Sequence, residues 1–344
     1  VLVYPPKPAS AALWQIFFPN RVNIMRVVVT DHTFPDLETE KTILEAAGAT
    51  MVAAQTKEVA ALIKMVAGAD AIITQFAPIN ADVIAAMDKA RVIVRYGIGF
   101  DNVDIEAARA KNIPVCNIPD YCIDEVADHT LAFILGLTRQ VATHTNKVHG
   151  GGWGLATGLD GLQALCRMTV GVVGFGRIGR AVVRRLLAFG CKVLVHDPVV
   201  PAATIAEAGA TSVDLPTLLA QSDCVTLHCP SLPQTKNLIN RQSLAGMKDG
   251  ALLINLARGD LVEPHALVEA LDTGKIAGAA LDVFNPEPIP QGHPILNRPN
   301  VILAPHIASA SVAAVNRLRQ SAARLAVDAL AGKHLGSVVN GLKT

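Results

Sequence analysis

Three ionisable residues stand out for the chemistry they offer together. Arg258 follows the apolar run Leu252-Leu-Ile-Asn-Leu-Ala257, Glu287 follows Ala280-Leu-Asp-Val-Phe-Asn-Pro286, and His306 follows Val301-Ile-Leu-Ala-Pro305. Each run reads as a β-strand, so each residue sits at or near a strand end. Ligands of open α/β sheets bind beyond the carboxyl ends of the strands. Histidine suits proton transfer near neutrality, and a carboxylate beside it favours its protonated form. Arginine binds a carboxylate and polarises a carbonyl without losing its charge. Reduction of a 2-oxo acid by a nicotinamide needs this set. Taken singly, each residue also has an ordinary reading: a loop histidine, a solvated turn glutamate, a turn-capping arginine. The sequence alone does not decide that they meet.

A second constellation names a cofactor class. Thr169-Val-Gly-Val-Val-Gly174-Phe-Gly176-Arg-Ile-Gly179 carries G-x-G-x-x-G between an apolar strand and a helix expected over Arg177 to Phe189. Gly174 permits the tight turn, Gly176 lets the backbone approach a pyrophosphate, and Gly179 lets the helix pack near the strand. The helix start adds N–H groups and a positive dipole end. The next strand, Lys192-Val-Leu-Val-His196, leads to Asp197, eighteen residues past Gly179. Its carboxylate suits both hydroxyls of an adenosine ribose and repels a 2′-phosphate. No Arg or Lys occurs in Pro198-Val-Val-Pro-Ala-Ala-Thr204. NAD(H) is therefore expected rather than NADP(H).

Short β-branched runs alternating with helical stretches predict the elements that hold these residues, an α/β chain of two doubly wound parallel sheets. In the first part, strands are expected at 26–30, 49–53, 70–74, 91–95 and 113–116, with helices near 38–47, 57–66, 80–88 and 104–111. One long helix is expected from Ile123 to His149, capped by Asp124. The second series predicts strands at 169–173, 192–196, 224–228, 251–255, 277–281 and 301–303, then a single helix from about Ser309 to Ala331. Residues 1–24, rich in proline and preceding Met25, read as an upstream extension or an arm for a partner subunit.

Composition narrows the function classes. The 344 residues fit about two domains. Thirty basic against 29 acidic residues leave a net charge of +1, which argues against nucleic acid as the main partner. No charge-free apolar stretch approaches the ~20 residues of a membrane helix. The six cysteines form no C-x-x-C pair and read as buried free thiols of a reducing cytosol, so a cytoplasmic protein without a bound metal is expected.

Further segments carry a resemblance. Arg95-Tyr-Gly-Ile-Gly-Phe-Asp-Asn-Val-Asp104, the glycine motif, His228-Cys-Pro230, Asn255-Leu-Ala-Arg-Gly-Asp260, Leu281-Asp-Val-Phe284 and Pro305-His-Ile-Ala308 resemble, in order, the D-isomer-specific 2-hydroxyacid dehydrogenases. The resemblance covers about residues 26–335. It implies Arg258 as substrate-holding and polarising residue, His306 as acid/base and Glu287 as its partner. It implies Gly97 and Ile98 as backbone donors to the substrate carboxylate. Around NAD it implies Gly174, Phe175, Gly176, Arg177, Ile178, Gly179, Asp197, Cys229, Pro230, Thr235, Ala257, Arg258, Asp282, His306 and Ala308. It also implies a Rossmann-like cofactor domain (123–308) inserted into a flavodoxin-like substrate domain (25–122 and 309–344), and a homodimer through the cofactor domain. Tyr96, Phe100, Gln75 and Phe76 are expected to line the substrate side-chain pocket.

Two departures bear on the substrate. Pro230-Ser-Leu-Pro233 stands where the family usually has Pro-Leu-Thr-Pro. Thr74-Gln-Phe-Ala-Pro78 lacks the Arg-Ser segment usual in phosphoglycerate dehydrogenases. Cys116 to Asp128 looks most like the branch near the C-terminal-binding-protein corepressors. An NAD(H)-sensing binding protein with little turnover is therefore the alternative to a dehydrogenase acting on a small D-2-hydroxy acid.

Overall fold

The computed structural model describes residues 25–344, so the expected extension 1–24 lies outside the described residues. The chain forms two compact units, one of residues 25–119 with Leu318–Thr344 and one of Asp120–Arg317. These divisions fall a few residues from the expected ones, because the last helix continues without a break through residues 317 and 318.

In the first unit, β1 (Met25–Val29), β2 (Ala49–Ala53), β3 (Ala71–Thr74), β4 (Ile93–Arg95) and β5 (Val115–Cys116) form a parallel sheet of order β2-β1-β3-β4-β5. Between them run α1 (Glu38–Ala46), α2 (Val59–Val66), α3 (Ala81–Ala85) and α4 (Ile105–Ala110). Asn80 and Asp104 cap α3 and α4 by accepting backbone N–H groups two residues inside each helix. Val28, Leu62, Ile72, Ile84, Ile93 and Val115 build the core. The chain end returns here: Asn340 accepts from Val115 N–H (3.2 Å) and donates to Ile113 C=O (2.8 Å).

The second unit begins with α5 (Ile123–Thr138) and α6 (Val141–His149). The single helix expected over 123–149 is thus two. Gln140 adopts φ 49°, and its side chain bonds Gly161 C=O (2.9 Å) and Thr157 Oγ1 (2.6 Å), which fixes the turn between them. Asp124 does not cap α5; it pairs with Arg185 at 2.9 Å, and Cys122 occupies the cap position without a side-chain bond.

The parallel sheet of this unit comprises β6 (Thr169–Val173), β7 (Lys192–His196), β8 (Thr211–Ser212), β9 (Cys224–Leu227), β10 (Ala251–Asn255), β11 (Ile276–Leu281) and β12 (Val301–Leu303), in the order β12-β11-β10-β9-β6-β7-β8. Strand β8 was not expected; at two residues it is too short to show a period. Helices α7 (Arg177–Ala188), α8 (Ala202–Glu207), α9 (Leu215–Gln221), α10 (Arg241–Ala245) and α11 (Pro264–Asp272) connect the strands. The last helix, α12 (Val312–Leu330), ends the series. Val173, Leu194, Val225, Leu253, Leu267 and Ile276 are among the core residues of the second unit.

Cys166 is exposed and Cys229 half-buried, which corrects the expectation of uniformly buried thiols; all six cysteines are free. Among the described residues no helix is long and apolar enough to cross a membrane.

Candidate active site

Strand register aligns the site. Val173 pairs with His196 and with Leu227, Leu227 with Asn255, Asn255 with Leu281, and Leu281 with Leu303. These strands therefore end level with one another. Gly174, Asp197, His228, Asp282 and the loops bearing Arg258 and His306 follow along a single sheet edge.

The glycine loop is shaped by space. Gly174 has φ 98°, and a Cβ there would lie 2.7 Å from the His228 carbonyl and the Cys229 nitrogen. A Cβ on Gly179 would run into the Gly174 carbonyl oxygen. At Gly176 a Cβ would meet nothing within 4 Å, so the start of α7 faces open space. Gly176 caps α7 without a side-chain bond, leaving the first N–H groups of the helix for an anion. Arg177 and Ile178 form the first turn beside it. Phe175 is fully buried, and the Arg180 guanidinium lies 4.4 Å from its ring centroid.

Asp197 organises the far side of this loop. Its Oδ2 accepts from Phe175 N–H (2.7 Å), and its Oδ1 from Val199 and Val200 N–H (2.9 and 3.0 Å). Partial burial raises the carboxyl pKa, but these three backbone donors outweigh burial and hold it below the usual carboxylate range. Asp197 remains ionised, as a ribose acceptor requires.

The adjacent loop is tied by its own polar groups. Burial pushes the His228 imidazole down to about 3, so the ring is neutral, and its Nε2 lies 2.9 Å from Thr226 Oγ1. Burial raises the Cys229 thiol to about 11, which leaves it an inert neighbour rather than a nucleophile. Thr235 Oγ1 donates to Pro230 C=O (2.7 Å) and accepts from Leu232 N–H (2.8 Å). Ser231, at the departure from the family pattern, donates to Asp260 Oδ2 at 2.6 Å and so ties this loop to the one that follows Arg258.

His306 and Glu287 do meet. His306 Nδ1 and Glu287 Oε2 are 2.8 Å apart, and Glu287 Oε1 accepts from Phe284 N–H at 2.8 Å. Burial opposes ionisation of Glu287, but the bonds from His306 and Phe284 keep its carboxyl below the ordinary value. Nδ1 is thus the ring nitrogen turned to the carboxylate. His306 itself adopts φ 56°, a strained value for a residue with a Cβ.

In the first unit, Gly97 has φ 139°, and a Cβ there would strike the Arg95 guanidinium. Gly97 C=O accepts from Ile118 N–H (2.9 Å), and Ile98 C=O accepts from Asn117 Nδ2 (2.6 Å). Gly97 N–H donates to Arg95 C=O (2.9 Å).

Residues 131–308 match the D-isomer specific 2-hydroxyacid dehydrogenase, NAD binding domain family. The chain belongs to the D-isomer-specific 2-hydroxyacid dehydrogenases. It is 40% identical over 273 residues to a glyoxylate reductase of Thermofilum pendens, covering 76% of this chain and 78% of that one. A D-3-phosphoglycerate dehydrogenase of Methanocaldococcus jannaschii is 39% identical over 286 residues, covering 82% of this chain but 53% of the relative. The chain thus spans about half the length of that relative. The structure of D-lactate dehydrogenase from Aquifex aeolicus complexed with NAD and lactic acid aligns with TM-score 0.85 at 29% identity, over 92% of this chain and all of that one.

This dehydrogenase uses NAD, and its residues fit the cofactor: the open space at Gly176, the uncapped start of α7 and the ionised Asp197 lie on one edge. Among the described residues no group of three or more His, Cys, Asp or Glu is arranged to hold a metal ion. Two of the expected pocket residues are buried. Tyr96 is 1% exposed, and its hydroxyl donates to the buried Glu40 (3.0 Å), which also pairs with Arg319 (2.8 Å). Gln75 is buried and bonded to Thr33. Both bond partners within the first unit, and Phe76 and Phe100 are half-buried. Asn255, which the sequence presented only as part of a motif, bonds both Ala257 N–H and Arg258 C=O.

Proposed function

We propose that this dehydrogenase reduces a small 2-oxo acid of the glyoxylate or hydroxypyruvate class to the D-2-hydroxy acid, and runs the reverse oxidation. The His306–Glu287 hydrogen bond carries the reading. It couples an acid/base group to an ionised partner at the edge where the cofactor residues lie. Bound NADH supplies the hydride to the carbonyl carbon. His306 Nε2 donates the proton to the carbonyl oxygen, and Glu287 stabilises the protonated ring before transfer. Arg258 pairs with the substrate carboxylate and polarises the carbonyl. Backbone N–H groups of Gly97 and Ile98 add to carboxylate binding, as the family resemblance implies. Around the dinucleotide, Gly174 to Gly179 receive the pyrophosphate and Asp197 the adenosine ribose. Cys229, Pro230, Thr235 and Ala257 would line its course, with Ala308, whose N–H Asp282 holds, toward the nicotinamide end.

The similarity to a glyoxylate reductase along most of both chains supports a small substrate. The absence of an Arg-Ser segment at Thr74-Gln-Phe-Ala-Pro78 argues against a phosphorylated one.

The second unit also supports a homodimer. Helix α6 has no buried residue, and Val141, Val148, Trp153, Leu155 and Leu159 expose apolar surface on it and the segment that follows. A second copy of this chain is the proposed cover. Six free cysteines fit a cytoplasmic location.

The test is NADH oxidation at 340 nm with glyoxylate, hydroxypyruvate, phosphohydroxypyruvate and pyruvate, and chiral analysis of the product. Turnover of glyoxylate or hydroxypyruvate, with D product from the latter, is expected. Tight NADH binding without turnover of any acid would favour the NAD(H)-sensing alternative.

A further inference from the structure

The residues that end β10 and follow β11 are both polar and both 1% exposed: Asn255 and Asp282. Buried polar groups of this kind need partners, and here the partners are the loops that carry Arg258 and His306. Asn255 Oδ1 accepts from Ala257 N–H (3.0 Å), and its Nδ2 donates to Arg258 C=O (2.8 Å). Asp282 Oδ1 accepts from Ile307 N–H (2.8 Å), and its Oδ2 from Ala308 N–H (2.8 Å). The Asp282 main-chain carbonyl accepts from His306 N–H (2.8 Å). Asp282 N–H in turn donates to Asn255 C=O (3.0 Å), so the two sites are joined.

We propose that Asn255 and Asp282 form a matched pair of positioning residues, which fix the backbones from which Arg258 and His306 project. The side-chain identities follow from the loops. The Arg258 loop offers one N–H and one C=O, which an amide satisfies and a carboxylate does not. The His306 loop offers two N–H groups, which a carboxylate satisfies and an amide does not. Three bonds to Asp282 hold His306, Ile307 and Ala308, and so maintain His306 at φ 56°. From that backbone conformation the imidazole reaches Glu287. Asp282 thereby acts on the reaction through the backbone of its neighbour and not chiefly as a contact to the nicotinamide. The inference rests on the roles proposed above for Arg258 and His306.

Isosteric exchanges test it with no change of volume. In Asp282→Asn an NH₂ group faces a backbone N–H. In Asn255→Asp a carboxylate oxygen faces the Arg258 carbonyl. Asp282→Asn is expected to lower kcat about 10–100-fold, since small misplacements of a reacting group cost that much, with NADH affinity within about twofold of wild type. Its His306 ring ¹⁵N NMR signals should lose the signature of a bonded Nδ1. Asn255→Asp is expected to raise KM for the 2-oxo acid about tenfold and to leave the His306 signals unchanged. Urea unfolding establishes that each variant is folded, and Asn255→Asp carries the test if Asp282→Asn is not. Unchanged kcat and unchanged His306 signals in Asp282→Asn would overturn the proposal. So would a loss of NADH affinity as large as the loss of kcat, which would make Asp282 a cofactor contact. If the wild-type protein reduces no acid, the function reading fails, while the NMR arm still decides whether Asp282 positions His306.

Discussion

Two loops on the same sheet edge obtain their shapes by opposite means. The loop after β6 depends on atoms that are missing. Gly174 and Gly179 leave room for backbone, and Gly176 leaves room for a ligand. The loop after β12 depends on atoms that are present. His306 keeps a Cβ at a positive φ, and Asp282 and Glu287 hold its backbone and its ring. The difference follows from the tasks. A pyrophosphate needs close approach to N–H groups, which side chains obstruct. A proton donor needs one direction, which only a network of bonds around a side chain supplies.

Substitutions sharpen this comparison. The largest effect is expected for Gly174→Ala, whose Cβ meets backbone at 2.7 Å while φ stays at 98°. A loss on the order of 3 kcal/mol of stability follows, measurable as a lower urea midpoint, together with loss of NADH binding. Glu287→Gln keeps the size of the side chain but removes the charge beside His306. It should lower kcat about 10–100-fold with NADH affinity unchanged, read by steady-state kinetics and fluorescence titration. Gly176→Ala should behave unlike Gly174→Ala. Its φ of −72° is ordinary and its Cβ meets no protein atom within 4 Å, so stability should stay within about 0.5 kcal/mol. NADH affinity should nevertheless fall about tenfold, because the methyl group occupies the ligand's space. Equal stability losses in the two alanine variants would break the comparison.

The smallest effect concerns pH. The folded Glu287 carboxyl titrates below its ordinary value of 4.5. Its contribution to stability is therefore present above about 4.5 and lost as pH falls through the lower folded value. Thermal unfolding of wild type and Glu287→Gln should differ near neutrality and converge in acid. A constant difference across that range would contradict the assignment.

Much of this edge was legible in the sequence because parallel buried strands are short apolar runs with functional residues directly after them. Strands β6, β7, β10 and β12 lie at the expected residues. The glycine motif is equally readable, since each glycine answers a local steric demand. Features set by distant partners were not legible. Nothing near Gln140 announces a break between α5 and α6, because its partners Thr157 and Gly161 lie a loop away. Asp124 has the chemistry of a helix cap, yet Arg185 claims it across the helix pair. Tyr96 adjoins the Gly97 turn in sequence, but its ring is buried and its hydroxyl bonds Glu40, 56 residues away along the chain. Asn255 reads as one polar residue in an apolar strand until the bonds to Ala257 and Arg258 are seen.

The central claim is that this edge joins a cofactor loop to a separate proton-donating pair. Single-turnover hydride transfer in wild type and His306→Ala, with NADH affinity measured on the same samples, tests it most directly. The account predicts transfer slowed about 10²–10⁴-fold with NADH binding essentially unchanged. Transfer at the wild-type rate in His306→Ala would contradict it.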